Sequence, residues 1–183
     1  IEIRSMINKI SMYPEISVVA KRIKRSEGFF FKFLYSLHKI ITKIFTGKKI
    51  NFGNYTCLTS KDVTILSNEK SLWSSFSGSV KKHLNDFKEI ESIRGSRYYG
   101  PSKMSLFNLI THSFAIMAVF KYQVFFRSFL IVIILFCLNF YFDVFSFFSY
   151  FLIGLFNILI FLISLREQKN ELFKSQENLE SIE

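Results

Sequence analysis

Cysteine is scarce in this sequence. The 183 residues hold two, Cys57 and Cys137, far apart in the chain. A disulfide framework and a zinc-ligand pattern both need more than that. No signal-peptide pattern opens the chain. It begins Ile1-Glu2-Ile3 without a methionine and reads as a piece of a longer, or a processed, protein. Neither an RNA-binding aromatic motif nor a helix-turn-helix pattern is visible, so no nucleic-acid partner is expected.

The deepest shortage is of charge. From 128 to 165 the only formally charged side chain is Asp143. At ~1.5 Å rise per residue, ~20 apolar residues cross a bilayer core, so this run is nearly two crossings. Asn139 and Asp143 break it near the middle, which predicts a transmembrane hairpin with spans over 124–141 and 144–165. Apolar residues surround both spans on every face, which suits lipid better than a one-sided core. Arg127 falls in the first turns of the first span, from where it can snorkel to the headgroups. No Lys or Arg lies between the spans, whereas Lys121 precedes them, Arg127 lies at the entry of the first, and Arg166, Lys169 and Lys174 follow. The positive-inside rule then puts both flanks in the cytoplasm.

Positive charge and phenylalanine are abundant: the net charge is +10 and there are 24 Phe. A basic balance beside membrane spans points to anionic lipid or phosphate-bearing ligands. The Lys, Ile, Asn and Phe bias suggests an AT-rich, bacterial genome, hence the inner (plasma) membrane.

The first 120 residues alternate helical and strand patterns. Ile3, Met6, Ile7 and Ile10 recur at helical spacing until Pro14. Ile16, Val18, Val19 and Ala20 read as a buried strand that terminates in Lys21-Arg22-Ile23-Lys24-Arg25. A basic cluster after a strand is either a solvated loop or one of the ligand loops that α/β folds place there. Residues 29–45 form an amphipathic helix ending at Gly47. It is either a helix packing on a sheet or one whose Lys face touches anionic lipid; packing with some surface contact is expected, and its His38 is expected to be solvated. Gly53-Asn54 predicts a sharp turn or bulge after a strand. Thr59 or Ser60 can cap a helix from Lys61, with Asp62 in its first turn. Leu72, Trp73, Phe76 and Val80 continue one helical stripe toward His83, which has no partner at metal-ligand spacing. Residues 87–93 read as a strand.

Arg94, Arg97 and Lys103, with Gly95 and Gly100, come directly before the next helix. Ser102 could cap that helix and make an anion site. Arg grips phosphate oxygens with two donors and Lys adds a point charge. The other reading is a basic juxtamembrane loop that only attracts headgroups. Residues 104–120 predict an interfacial helix lying flat on the membrane. The units are thus 1–103, 104–123 with the interfacial helix, the hairpin 124–165, and a charged tail 166–183.

Several of these segments, in order, resemble the C-terminal part of a membrane-bound family 2 glycosyltransferase of the polyprenyl-phosphate (dolichol-phosphate mannosyltransferase-like) type. Val18-Val19-Ala20-Lys21-Arg22 with Arg25-Ser26-Glu27-Gly28-Phe29 is similar to that family's strand and basic loop. Ile50-Asn51-Phe52-Gly53-Asn54-Tyr55 looks like its acceptor-side motif. Arg97-Tyr98-Tyr99-Gly100-Pro101-Ser102-Lys103 resembles its Arg-x-x-Gly-x-Ser-Lys signature. The implied fold class is α/β: part of a GT-A (Rossmann-like) domain, then an interfacial helix and a two-helix transmembrane hairpin.

The resemblance implies transfer of a hexose from a nucleotide sugar to a polyprenyl phosphate or related acceptor in cell-envelope glycan synthesis. It implies phosphate contacts at Arg97, Lys103, Ser102 and Gly100, and an acceptor side at Arg22, Arg25, Gly53 and Asn54. In the family an upstream half binds the nucleotide sugar and holds Mg²⁺ or Mn²⁺ through an Asp-x-Asp motif. No Asp-x-Asp occurs here, so the donor site and metal ligands are expected upstream and these 183 residues alone are expected to be inactive. Many members carry an acidic residue where this chain has Asn54, and an amide cannot accept a proton as a carboxylate does. The rival reading is a non-enzymatic two-span anchor whose basic part binds anionic lipid or a partner protein. Oligomeric state, homo-oligomers included, is left open by the sequence.

Overall fold

The computed structural model describes residues 2–24, 29–93, 105–142, 146–168, 170 and 174. The chain runs α1 (Glu2–Met12), β1 (Ser17–Lys24), α2 (Phe29–Thr46), β2 (Phe52–Cys57), α3 (Ser60–Ser67), α4 (Ser71–Ser74), α5 (Phe76–His83), β3 (Phe87–Ile93), α6 (Leu106–Ala118), α7 (Lys121–Phe142) and α8 (Ser146–Ser164).

The strands form one mixed sheet in the order β2-β1-β3. β1 is antiparallel to β2 and parallel to β3. Side chains alternate across a strand, and β1 uses both faces. Val19 joins Phe52, Leu66, Val80 and Leu84 under α3 and α5. Val18 and Ala20 turn the other way, onto Met6 of α1 and Ile90 of β3. A central strand covered on both sides needs a continuous apolar run, and Ser17-Val18-Val19-Ala20 supplies it. The strand does not stop at that run, however. Lys21, Arg22, Ile23 and Lys24 continue it, because β3 offers paired partners as far as Ile93. Most of the basic run is thus ladder, not loop.

Capping sets the helix starts. Thr59 Oγ1 accepts the Asp62 N–H at 3.2 Å at the head of α3. Ser17 Oγ accepts the Thr59 N–H at 3.1 Å and donates to Asp62 Oδ2, tying the start of β1 to that cap. The stripe from Leu72 to Val80 is two helices, not one. Ser75 takes extended backbone and its hydroxyl accepts the Gly78 N–H, so the preference of serine for N-caps divides it. The cap of α6 is Ser105, which accepts the Asn108 N–H at 3.2 Å. This corrects the expectation for Ser102, three residues too early.

The second unit is helical. Among the described residues, α7 and α8 are the two helices long and apolar enough to cross a membrane, over Lys121–Asn139 and Phe147–Ser164, and both are mostly unburied by protein. Lys121 at the head of α7 pairs with Glu167 beyond the end of α8 at 3.4 Å. The two outer ends of the hairpin are therefore together. Ser113, Ala115, Ile116, Met117 and Ala118 of α6 are buried, so only its first half, with exposed Leu106, Phe107 and Ile110, has the open face expected of an interfacial helix. α2 also departs from expectation. Ile41 and Phe45 pack with Met117, Ala118, Val124 and Ile160, so its partners are α6, α7 and α8 and not the sheet. His38 is half-buried, with Nδ1 3.2 Å from Thr42 Oγ1 and its ring beside Tyr35.

Candidate functional site

Strand direction brings the candidate segments to one end of the sheet. β1 and β3 are parallel, so both carboxyl ends lie there, with Lys24 beside Ile93. β2 runs the other way and starts there, with Phe52 opposite Lys21. In α/β sheets the carboxyl ends of parallel strands are where loops bind ligands.

Gly53 and Asn54 lie within β2 rather than in a turn after it. The pairing passes from Val19↔Thr56 to Lys21↔Phe52. β2 therefore spends two more residues than β1 over that stretch, a bulge that pushes Gly53-Asn54-Tyr55 out of register. Asn54 and Tyr55 are exposed there. Arg22 lies in β1, opposite Ser92, next to the residue that faces this bulge. Arg22 is registered in the β1–β3 ladder, and Gly53 and Asn54 lie in the out-of-register stretch of β2, on the other side of β1. The ammonium of Lys21 is engaged by Glu89 at 3.2 Å on the exposed sheet surface. Arg25, Arg97, Gly100, Ser102 and Lys103 lie outside the described residues. What the strands fix is where the chain departs toward them: Lys24 and Ile93 are adjacent, and β2 begins three residues back along β1, opposite Lys21.

Among the described residues no group of three or more His, Cys, Asp or Glu side chains is arranged to hold a metal ion. None of the described residues is placed to hold the divalent cation implied by the family resemblance. A shallow hollow of ≈ 700 Å³ lies on α1 against Ile3, Arg4, Ile7 and Asn8. Among the described residues that line it there is neither a nucleophile nor a general base.

A second cluster escaped the sequence reading. His83 Nδ1 is 3.3 Å from Glu69 Oε1, and its Nε2 is 3.0 Å from Ser71 Oγ. Ser71 Oγ is in turn 2.9 Å from Ser79 Oγ. Serine, histidine and carboxylate at these distances are the parts of a nucleophilic relay. Here Ser71 is 2% exposed and Ser79 is fully buried, so no substrate carbonyl can reach either hydroxyl. The cluster instead satisfies buried polar groups where α4 folds back on α5. Burial lowers the His83 pKa from its ordinary value of 6.5; Glu69 opposes this, Lys82 adds to it, and Glu167 opposes it. The only sequence signal was the spacing of Glu69, Ser71, Ser79 and His83 around a helix break that was not foreseen.

The same corner joins the two units. Lys82 Nζ donates to the Val119 carbonyl at 3.0 Å and Ser74 Oγ to the Ala115 carbonyl at 3.2 Å. Gly78 permits the approach, since a Cβ there would lie 3.1 Å from Val119 Cγ2. Comparison of the chain with protein-family models, curated proteins and solved structures finds no match.

Proposed function

We propose that this chain is the acceptor-side and membrane-bearing part of a membrane-bound family 2 glycosyltransferase. It would serve transfer of a hexose from a nucleotide sugar to a polyprenyl phosphate or related lipid-linked acceptor. The observation that carries the reading is the convergence at one sheet end of Arg22, Gly53, Asn54 and the point where β3 leads into residues 94–104. Two of these, Arg22 and Gly53-Asn54, lie on the neighbouring strands β1 and β2, and the third is reached where β3 ends at Ile93 beside Lys24. The paired apolar helices α7 and α8 support a membrane setting, the absence of Lys and Arg between them supports cytoplasmic flanks, and the Lys, Ile, Asn and Phe bias supports a bacterial inner-membrane location.

In the reaction, an oxygen of the acceptor phosphate attacks the anomeric carbon, the bond from that carbon to the donor diphosphate breaks, and a nucleoside diphosphate leaves. A phosphate acceptor is already anionic and needs little base assistance, which accommodates Asn54 in place of a carboxylate. The harder task is to hold crowded negative charge beside a bilayer. Arg97 and Lys103 would do this on the donor diphosphate or lipid phosphate, with Gly100 and Ser102 shaping the loop. Arg22 and Arg25 would line the acceptor path, and Asn54 would orient a sugar or phosphate. The donor half and its metal ligands would be encoded upstream.

Arg97→Ala in the protein encoded by the whole gene tests this. Transfer to lipid phosphate in membranes should fall by about 10²-fold or more, the scale for loss of one transition-state donor. Unchanged turnover at equal expression would remove Arg97 from the reaction.

A further inference from the structure

α2 has three faces. At about 100° per residue, Phe29, Phe33, Leu37, Ile40 and Ile44 fall within an arc of about 80°. All five are exposed, Phe29 at 87% and Phe33 at 57%. The adjoining face, with Ile41 and Phe45, is packed on α6, α7 and α8. The remaining arc carries Lys32, Lys39 and Lys43. A soluble helix buries its apolar face and shows the polar one to water. This helix buries one apolar face and leaves a second open.

The depth at which α2 is fastened accounts for the open face. Arg127 Nη1 donates to the Ile44 carbonyl at 3.1 Å, and the Phe45 and Phe156 rings are 4.5 Å apart between centroids. Arg127 lies ~9 Å along α7 from Lys121, and Phe156 lies ~12 Å before the end of α8 at Ser164. If the hairpin crosses a bilayer, points that far inside its ends are at the depth where interfacial helices lie, ~5–10 Å into the boundary of headgroups and acyl chains. A helix clamped there cannot stand clear of the membrane.

We propose that α2 is embedded in the membrane interface, in the leaflet where Lys121 and Ser164 emerge, with Phe29, Phe33, Leu37, Ile40 and Ile44 among lipid acyl chains. Lys32 and Lys43, both exposed, face the headgroups. The occupant of the stripe is lipid, since the stripe continues the unburied apolar surface of the spans to which α2 is bound. The arrangement also provides for Arg127. A guanidinium inside a span is costly unless a carbonyl or carboxylate meets it, and the C-terminal end of α2 presents an unpaired carbonyl with the favourable end of the helix dipole. Gly47, at φ +71°, closes that helix, and a Cβ there would lie 2.5 Å from Arg127 Nη2. The inference rests on the membrane setting of α7 and α8 and is independent of sugar transfer.

The test uses the full chain in vesicles of phosphatidylcholine and phosphatidylglycerol with brominated acyl chains. In a Trp73→Phe background, Ile40→Trp reports the stripe and Lys43→Trp the polar face, with helicity checked by circular dichroism. Ile40→Trp emission should be blue-shifted and quenched at least about twofold, and Lys43→Trp quenched much less. Red-shifted, unquenched emission from Ile40→Trp would overturn the proposal. So would blue-shifted, unquenched emission, which would put protein or a second copy on the stripe, and so would equal quenching at both positions. Phe33→Trp provides a second stripe reporter if Ile40→Trp loses helicity, and the same readings decide it.

Discussion

The sheet unit and the helical hairpin treat the same kinds of side chain in opposite ways. In the sheet unit Val18, Val19 and Val80 are fully buried, and the buried hydroxyls of Ser17, Thr59, Ser71 and Ser79 all have partners. In the hairpin Phe129, Ile134, Phe136, Phe147 and Phe161 are more than half exposed. Ser128 Oγ, Asn139 Oδ1, Tyr150 OH and Asn157 Oδ1 are buried without a hydrogen-bond partner. The sheet unit builds buried clusters from its own chain, although Ile3, Met12 and Ile93 stay exposed and Asn51 Oδ1 is buried without a partner. The other leaves a large apolar surface uncovered by its own chain. A hydrophobic residue is placed by what surrounds it, and lipid serves where protein does not. α2 belongs to both units, for it joins β1 to β2 in sequence and packs on α7 and α8 in space.

The sharpest way to separate the units is to damage one core. Leu66→Ala removes a side chain 2% exposed in the sheet core and should cost about 2–5 kcal/mol. Urea unfolding followed through Trp73 should reveal it, while carbonate-resistant membrane association is retained. If membrane association is lost as well, the two units fold as one. Next, Arg127→Gln cuts the tie between α7 and α2. Loss of a hydrogen bond from a charged donor should cost about 1.5–3 kcal/mol, and proteolysis within the α2–β2 connection should accelerate. An unchanged cleavage rate would mean that Phe45 alone holds α2 in place.

Smaller effects probe the joints within the sheet unit. Thr59→Ala removes the α3 cap and the acceptor for the Asp62 N–H, for about 1 kcal/mol by thermal unfolding; Thr59→Ser should restore most of it. The gentlest probe is pH. The native His83 pKa is lowered, chiefly by burial, so the unfolded chain takes up this proton more readily than the folded one. The His83 contribution is therefore complete above the ordinary value of 6.5 and declines as pH falls through it toward the lowered native value. His83→Gln should flatten this part of the stability–pH curve. A curve unchanged by His83→Gln would assign the pH dependence to other groups.

Local chemistry made much of the chain readable. The strand at Val18-Val19-Ala20, the Thr59 cap with Asp62, the Gly47 terminus of α2, the 87–93 strand and the two long apolar helices each follow from a few adjacent residues whose backbone or solvation needs are local. The expectations that failed depended on partners distant in sequence. Lys21-Arg22-Ile23-Lys24 looked like a loop because its composition is polar, yet it is strand because β3 pairs with it. α2 looked like a sheet-packing helix because amphipathicity names a face without naming what covers it. His83 looked solitary because Ser71 reaches it only after Ser75 breaks the helix.

The sequence by itself determined where backbone hydrogen bonds close locally, where a run without Lys or Arg is long and apolar enough to cross a membrane, and which segments are basic. Only the tertiary structure decided that β1, β2 and β3 bring Arg22, Gly53-Asn54 and the exit toward residues 94–104 to one end, and that Arg127 meets Ile44. The reason is physical. Helix periodicity and caps are set within a few residues, whereas strand register and helix docking are set by burial shared between segments that the chain alone does not juxtapose.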